Sequence, residues 1–307
     1  MKKILLLVSL VGCFTDYSVL EHEKETDVVI IDDTTESLSN EDTEDTSPVT
    51  PTGHGGGMLQ IGSTWTPCVD CFVGVPEIDS FAAAVFHSST PNTWYDWIPA
   101  VGTCSTPSGP NVNPANYYDV GSFVEIMSPS VTSRLNRFYE SGRPTYRSGQ
   151  LGTSGYTPGV DYGLTVSENS TLGDFEISRI TSTPREFTHV QPSQYFTPDP
   201  SAGFSGVLRR AQSNQFTYTP YGDSDFFIVT LDVYDYTGAT YLGGVMCVEL
   251  DNGSLMMPAG YLSSFPQYSL VAVTYYKWII VESIVPTTGD TFEGVGQYGL
   301  VGTAIIQ

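Results

Sequence analysis

The chain has 307 residues, with 34 acidic and 12 basic side chains and a formal net charge of −22. Binding to a nucleic-acid backbone depends on clustered lysine and arginine, so this charge balance argues against nucleic acid as a partner. The same balance disfavours electrostatic docking on anionic lipid, so any link to a membrane has to be covalent.

The amino terminus has the form of a secretory signal peptide. Two lysines precede a short apolar run, residues 4–11, which is far shorter than the roughly 20 residues of a membrane-spanning helix. The run ends in Leu10-Val11-Gly12-Cys13, which resembles the lipobox of bacterial lipoproteins. The resemblance implies that residues 1–12 are removed and that Cys13 is acylated, which anchors the protein at the outer membrane or cell surface. The alternatives are an ordinary cleaved signal peptide and a chance apolar start on a cytosolic protein.

An acidic segment follows the cysteine. Residues 14–50 hold twelve acidic side chains and one basic side chain, Lys24. Residues 32–52 are almost entirely Asp, Glu, Thr, Ser, Asn and Pro, and cannot bury enough apolar surface to offset the entropy of ordering. Gly53-His54-Gly55-Gly56-Gly57 then predicts a flexible joint. We therefore expect residues 13–57 to form a disordered, lipidated tether.

The remaining chain, residues 58–307, predicts an all-β fold. Short runs of β-branched and aromatic residues alternate with turn residues, which favours a β-sandwich, Ig-like or jelly-roll-like. We divide the body into a β-rich region, residues 58–190, and a β-sandwich region, residues 191–307, with a single domain as the alternative. The pattern predicts strands over 81–86, 117–127, 162–166, 215–218, 225–234, 244–250, 254–258 and 269–281.

Three further local predictions concern shorter segments. Residues 131–139 predict a short helix, and residues 259–265 predict one helical turn. Asp251-Asn252-Gly253 predicts a tight hairpin turn, because Asn and Gly tolerate the positive φ that such turns require.

The order of these features is also similar to that of a loosely defined set of uncharacterised envelope lipoproteins from predatory and gliding Gram-negative bacteria. The similarity rests on the acidic tether, on Tyr117-Tyr118-Asp119-Val120-Gly121 and on the predicted hairpin over 245–259. It implies an envelope location and a β-sandwich, but no activity.

Four cysteines lie beyond Cys13, namely Cys68, Cys71, Cys104 and Cys247. An even number in an exported protein favours disulfide bonds. We expect Cys68 or Cys71 to pair with Cys104, and Cys247 to be a buried small hydrophobic residue. The alternatives are a redox pair formed by Cys68 and Cys71, and a zinc site that would take all four cysteines as ligands.

The sequence carries no pattern typical of an enzyme, a cofactor site or a metal site. The four histidines share no metal-ligand spacing. Acidic pairs such as Asp223 with Asp225, or Glu249 with Asp251, would serve a glycosidase only if they faced each other across a cleft.

Aromatic residues are the one suggestive feature for ligand contact. Trp65, Trp94, Tyr95 and Trp97 lie in a part of the body predicted to be rich in loops, where aromatic faces can contact a glycan or a protein. The leading prediction is therefore a non-catalytic envelope lipoprotein that binds or adheres. The alternatives are a jelly-roll capsid or other virion protein, which the acidic arm argues against, and a secreted carbohydrate-active protein.

Overall fold

The computed structural model describes residues 56–67, 78–87, 98–107, 117–140, 142–148, 156–167, 170, 172–197 and 206–307. Within these ranges nearly all regular structure is β-strand, so the predicted all-β class is confirmed. The proposed lipidation site and residues 13–55 of the predicted tether lie outside the described residues.

The described part of the chain contains fifteen strands and one short 3-10 helix, Ser193–Tyr195. The strands are β1 (Gly56–Trp65), β2 (Ile78–His87), β3 (Thr103–Ser105), β4 (Phe123–Met127), β5 (Thr132–Glu140), β6 (Arg143–Arg147), β7 (Asp161–Val166), β8 (Phe175–Ser182), β9 (Gly206–Leu208), β10 (Asn214–Thr217), β11 (Phe226–Tyr234), β12 (Tyr241–Leu250), β13 (Ser254–Met257), β14 (Leu270–Ile284) and β15 (Thr291–Ile306).

Thirteen of these strands form one mixed sheet. Its order is β3-β12-β11-β14-β15-β1-β2-β6-β5-β4-β7-β8, and β9 pairs with the end of β15. β1 and β9 run parallel to β15, whereas the other described pairs are antiparallel. Because β1 pairs with β15, the sheet continues across the predicted regions 58–190 and 191–307.

The two longest strands, β14 and β15, lie side by side near the middle of the sheet. Their register runs without a shift from Leu270 opposite Ile305 to Ile284 opposite Thr291. β14 is apolar on both faces because both faces are covered. Tyr275 packs into one hydrophobic cluster, and its neighbour Tyr276 packs into a cluster on the opposite face.

The first core lies where the sheet curls back over itself. Strand β8, at the end of the strand order, packs across β14 and β15 in a second layer, as in a sandwich. Large buried side chains fill the space between the layers, including Phe86, Tyr146, Tyr162 and Phe292.

The second core lies on the other half of the long strand pair. Alternate residues of β11, Phe227, Val229, Leu231 and Val233, point into it. The small sheet formed by β10 and β13 and the 3-10 helix cover it with Phe216, Leu255, Met257 and Tyr195. The opposite face of β11, β12 and β14 is here called the outer face, and its side chains include Ile228, Val248 and Trp278.

Two local predictions are wrong, because long-range pairing overrides the local pattern. Residues 131–139 form β5 rather than a helix, because β5 pairs on one side with β4 and on the other with β6. The turn after β12 does not close a hairpin, because β13 leaves the large sheet and pairs with β10 above the second core.

Three shorter features also differ from the predictions. Residues 259–265 form turns without a helix, and the strand predicted over 117–127 begins only at Phe123. The last two residues of the predicted joint, Gly56 and Gly57, belong to β1. A side chain at either position would collide with the carbonyl oxygen of Thr291 or Val85, so glycine is required there by packing.

Substitution of Gly296 tests whether β8 packs closely across β15. A Cβ atom at this position would collide with the carbonyl oxygen of Ser182 in β8. We expect Gly296→Ala to lower the free energy of unfolding by about 1–3 kcal/mol, although alanine normally stabilises a strand relative to glycine. Denaturant titration measures the change, and Ile284→Ala at an exposed position of β14 is the control. A Gly296→Ala variant as stable as the wild type would contradict the close contact between β8 and β15.

Candidate ligand-binding groove

The structure places only part of the site predicted from sequence. Trp65 lies at the end of β1 with 38% of its surface exposed. Trp94, Tyr95 and Trp97 lie outside the described residues, as do Cys68 and Cys71. The predicted group of ligand-contacting aromatic residues is therefore not assembled by the described part of the chain.

The cysteine pairing differs from the prediction. Cys104 is bonded to Cys247, so the predicted pairing of Cys104 with Cys68 or Cys71 is wrong, and Cys247 is not a free buried thiol. The reason is strand pairing, because β3 lies beside β12 with Cys104 directly opposite Cys247 and their Cα atoms 4.0 Å apart. Two sulfurs bonded to each other cannot be thiolate ligands, so the alternative four-cysteine zinc site is also excluded.

The disulfide fixes a segment at one edge of the sheet. The backbone N–H of Gly102 donates to the carbonyl oxygen of Val248 at 2.9 Å. The hydroxyl of Tyr261 donates to the carbonyl oxygen of Cys104, also at 2.9 Å. These bonds and the disulfide hold residues 98–105 beside the outer face.

A groove of about 700 Å³ lies between this segment and the outer face. One wall is formed by Ile98, Pro99, Ala100 and Val101. The remaining lining residues come from β11, from the residue just before it, and from β12 and β14. These are Asp225, Phe226, Ile228, Val248, Leu250, Trp278 and Ile280.

Strand register explains why these apolar side chains share one face. Phe226 of β11 lies opposite Leu250 of β12 and Trp278 of β14. Ile228, two residues further along, lies opposite Val248. Residues directly opposite in adjacent strands project to the same side of a sheet, so two apolar rows form the floor.

The chemistry of the lining is simple. Asp225 is the one carboxylate among the lining residues, and none of them is basic. Its Oδ2 accepts a hydrogen bond from the backbone N–H of Ile280 at 2.8 Å, which fixes the carboxylate. A glycan needs several convergent hydrogen-bonding side chains, whereas this lining suits a neutral or cationic apolar group.

The acidic pair Asp223 and Asp225 does not face one groove. Asp225 lines the groove on the outer face, whereas Asp223 contacts Lys277, whose register partner Phe227 packs into the second core. The two carboxylates therefore belong to different surroundings.

Another acid, Asp232, is buried on the outer face further along β11. Burial raises its pKa to about 7, and a hydrogen bond with the Tyr241 side chain opposes the rise. The ring of Tyr241 packs against that of Tyr234 with centroids 5.6 Å apart. A carboxyl group in this environment is neutral under mildly acidic conditions.

Comparisons with known proteins add no family or relative, because a scan against protein-family models and a search of curated proteins found no match to this chain. In the part of the chain that the structure describes, no helix has the length and apolar character needed to cross a bilayer. The same residues contain no group of three or more His, Cys, Asp or Glu side chains placed to hold a metal ion.

The sequence interpretation missed the groove residues. Trp278 lies inside the apolar run 269–281, which predicts a central strand, so its type and position indicated only the core. The length of that apolar run could have indicated the groove. A strand that is apolar at consecutive positions has two apolar faces, and each must either pack against the protein or form a binding surface.

The buried carboxyl group of Asp232 should make the stability of the protein depend on pH. Because its pKa is raised from 3.8 to about 7 on folding, the folded state holds the proton more tightly than the unfolded state. The contribution of Asp232 to the free energy of unfolding therefore falls as the pH rises from about 4 to about 7. Asp232→Asn lacks this titration, so its stability relative to the wild type should increase between pH 5 and pH 8 in urea titrations.

Asp235 provides the matched control for that experiment. A hydrogen bond from the Thr237 side chain, together with others from backbone N–H groups, lowers its pKa to about 2 against the opposing effect of desolvation. It is ionised in both states from pH 5 to pH 8, so Asp235→Asn should show a pH-independent difference from the wild type. An equally flat difference for Asp232→Asn would contradict the buried protonated carboxyl.

Proposed function

We propose that this chain is an exported, lipid-anchored envelope protein that binds a compact apolar ligand in the groove on its outer face, without catalysis. The observation that carries the proposal is the groove itself. Its volume falls within the range of small-molecule sites, and its lining combines apolar side chains with a single fixed carboxylate at Asp225.

The disulfide supports the exported part of the proposal. Structural disulfides form and persist in oxidising compartments outside the cytosol, and Cys104–Cys247 joins two strands within the ordered sheet. The lipobox-like Leu10-Val11-Gly12-Cys13 supplies the anchor in this proposal.

The character of the lining favours an apolar ligand over a glycan or a nucleic acid. The aliphatic residues Val101, Val248 and Leu250 offer no hydrogen bonds to sugar hydroxyls. The protein carries a net charge of −22, which disfavours anionic ligands. A neutral apolar molecule, or one with a cationic group near Asp225, matches both properties.

Binding of a neutral fluorescent probe tests the groove. Leu250 and Val101 line it and are 55% and 44% exposed, so a polar residue at either position leaves the cores intact. We expect Leu250→Glu or Val101→Glu to weaken binding of N-phenyl-1-naphthylamine by about tenfold or more, because the probe would have to desolvate a new charge. Fluorescence titration of the probe gives the dissociation constants.

Met256 supplies the matched control. It is 60% exposed on β13 and does not line the groove, so Met256→Glu should bind the probe as the wild type does. Equal weakening by all three substitutions would show non-specific surface adsorption. Unchanged binding in Leu250→Glu and Val101→Glu would contradict the groove as the binding site.

Membrane fractionation and intact-mass measurement in a Gram-negative host test the anchor. We expect the wild type to fractionate with membranes at the mass of the chain from Cys13 plus acyl groups, because acylation makes a stable anchor. Cys13→Ala should be absent from the membrane fraction. Ser9→Ala, a change within the apolar run that precedes Cys13, should still be found there. A wild-type chain that stays soluble and retains Met1 would refute the lipoprotein assignment.

A further inference from the structure

A lysine is completely buried where the two cores meet. Lys277 lies on β14, opposite Phe227 of β11 and Tyr298 of β15, and its side chain has no exposed surface. Its Nζ donates to the carbonyl oxygens of Arg185 at 3.0 Å and Glu186 at 3.3 Å. A buried ammonium group is costly unless it is fully compensated, so this environment calls for an explanation.

Aromatic rings surround the amine. The Nζ atom lies 5.2 Å from the ring centre of Phe187, 5.3 Å from that of Tyr218 and 5.1 Å from that of Tyr221. The rings exclude water from the amine on these sides. Exclusion of water strengthens electrostatic interactions and protects a reactive group from side reactions.

One carboxyl group reaches the amine. Oδ1 of Asp223 lies 3.6 Å from Nζ of Lys277. This oxygen is buried without a hydrogen-bond partner, whereas Oδ2 accepts from the backbone N–H of Arg185 at 2.9 Å. Asp223 is therefore held through one oxygen, and its other oxygen faces Lys277 at slightly more than hydrogen-bonding distance.

A second acid lies close by. Asp251 accepts hydrogen bonds from the hydroxyl of Tyr218, a ring of the lysine's aromatic surroundings, and from Oγ of Ser224. Burial raises the pKa of Asp251 and lowers the pKa of Lys277, although the attraction between the opposite charges opposes both shifts. A neutral amine and a carboxyl that takes up a proton are the states that nucleophilic attack requires.

We propose that Lys277 and Asp223 form an intramolecular amide bond, with Asp251 as the group that carries the proton. The lone pair of the neutral Nζ attacks Cγ of Asp223 and forms the C–N bond. Asp251 takes a proton from the attacking nitrogen and passes a proton to the departing hydroxyl as the C–O bond breaks. One water leaves, so an amine and a carboxylic acid become an amide and water, and no oxidant or cofactor is needed.

The surroundings fit this chemistry in two ways. A neutral amine has two N–H groups, which match the carbonyl oxygens of Arg185 and Glu186, and one lone pair, which is left for the carboxyl group. The amide is also neutral, so the product carries no desolvation cost of a buried ion pair. Fixed proximity of the two groups supplies the effective concentration that amide formation needs.

The bond would add a covalent link to the fold beside the disulfide that the described residues contain. Cys104–Cys247 ties β3 to β12, whereas the amide would tie the segment before β11 to β14 at the boundary of the two cores. A protein exposed outside the cell gains resistance to unfolding and proteolysis from such a link, and unlike a disulfide the amide survives reduction.

Intact-mass measurement of the reduced, denatured full-length protein tests the proposal. We expect the wild type to be lighter than its sequence by one water, after allowance for processing at the amino terminus, and a peptide map to join the peptides containing residues 223 and 277. Lys277→Met should have its full mass. The Lys277→Met variant retains Asp223. It therefore distinguishes the amide from cyclisation of the aspartate, which would also lose one water but does not need the lysine. A wild-type protein of full mass would overturn the proposal, and Lys277 and Asp223 would then form an ion pair. This outcome is read from the wild type alone and does not depend on whether a variant folds.

The role of Asp251 needs its own test. Asp251→Asn should fold with an unchanged circular dichroism spectrum and keep its full mass, because no group carries the proton, and Asp251→Glu should restore the loss of water. Complete loss of water in folded Asp251→Asn would remove Asp251 from the reaction while leaving the amide in place. Binding of the neutral probe in the groove is measured separately, so failure of the amide proposal is distinguishable from failure of the proposed function.

Discussion

The antiparallel pairing of β14 with β15 is the constraint on which the rest of the structure depends. The register holds from Leu270 opposite Ile305 to Ile284 opposite Thr291 without a bulge. β11 attaches to the free edge of β14, while β1 and β9 share the free edge of β15. The first core uses one end of the pair and the second core uses the other. A long strand pair shared by two cores couples their stability, because neither core can open without exposing part of the same sheet.

Sequence reasoning predicted those elements whose local pattern agrees with their place in the fold. β11, β12 and β14 are dense in β-branched and aromatic residues, and all three were predicted. β15 was missed although it is the longest strand, because its glycines weaken the strand signal. Those glycines are explained only by what crosses them, since Gly294 and Gly296 lie against backbone oxygens of β8. β5 was predicted as a helix because nothing in its own residues shows that partners lie on both of its sides.

The candidate site was less predictable than the fold, because it is made by residues far apart in the chain. The wall around Val101 meets the floor around Trp278 only through the pairing of β3 with β12, which also decides the partner of Cys104. Even cysteine counts indicate that bonds form but not which ones. The cluster around Lys277 has the same origin, since Asp223 and Asp251 are separated from it in sequence and are brought close by strand packing.

Fluorine NMR of protein labelled with 5-fluorotryptophan shows directly whether a ligand binds in the groove on the outer face. The chain has four tryptophans, and substitution of each by phenylalanine assigns its resonance. Trp278 lines the groove, whereas Trp65 at the end of β1 does not. If the probe binds in the groove, the Trp278 resonance shifts as N-phenyl-1-naphthylamine is added while the Trp65 resonance stays in place. A shift of the Trp65 resonance with no change at Trp278 would contradict binding in the groove.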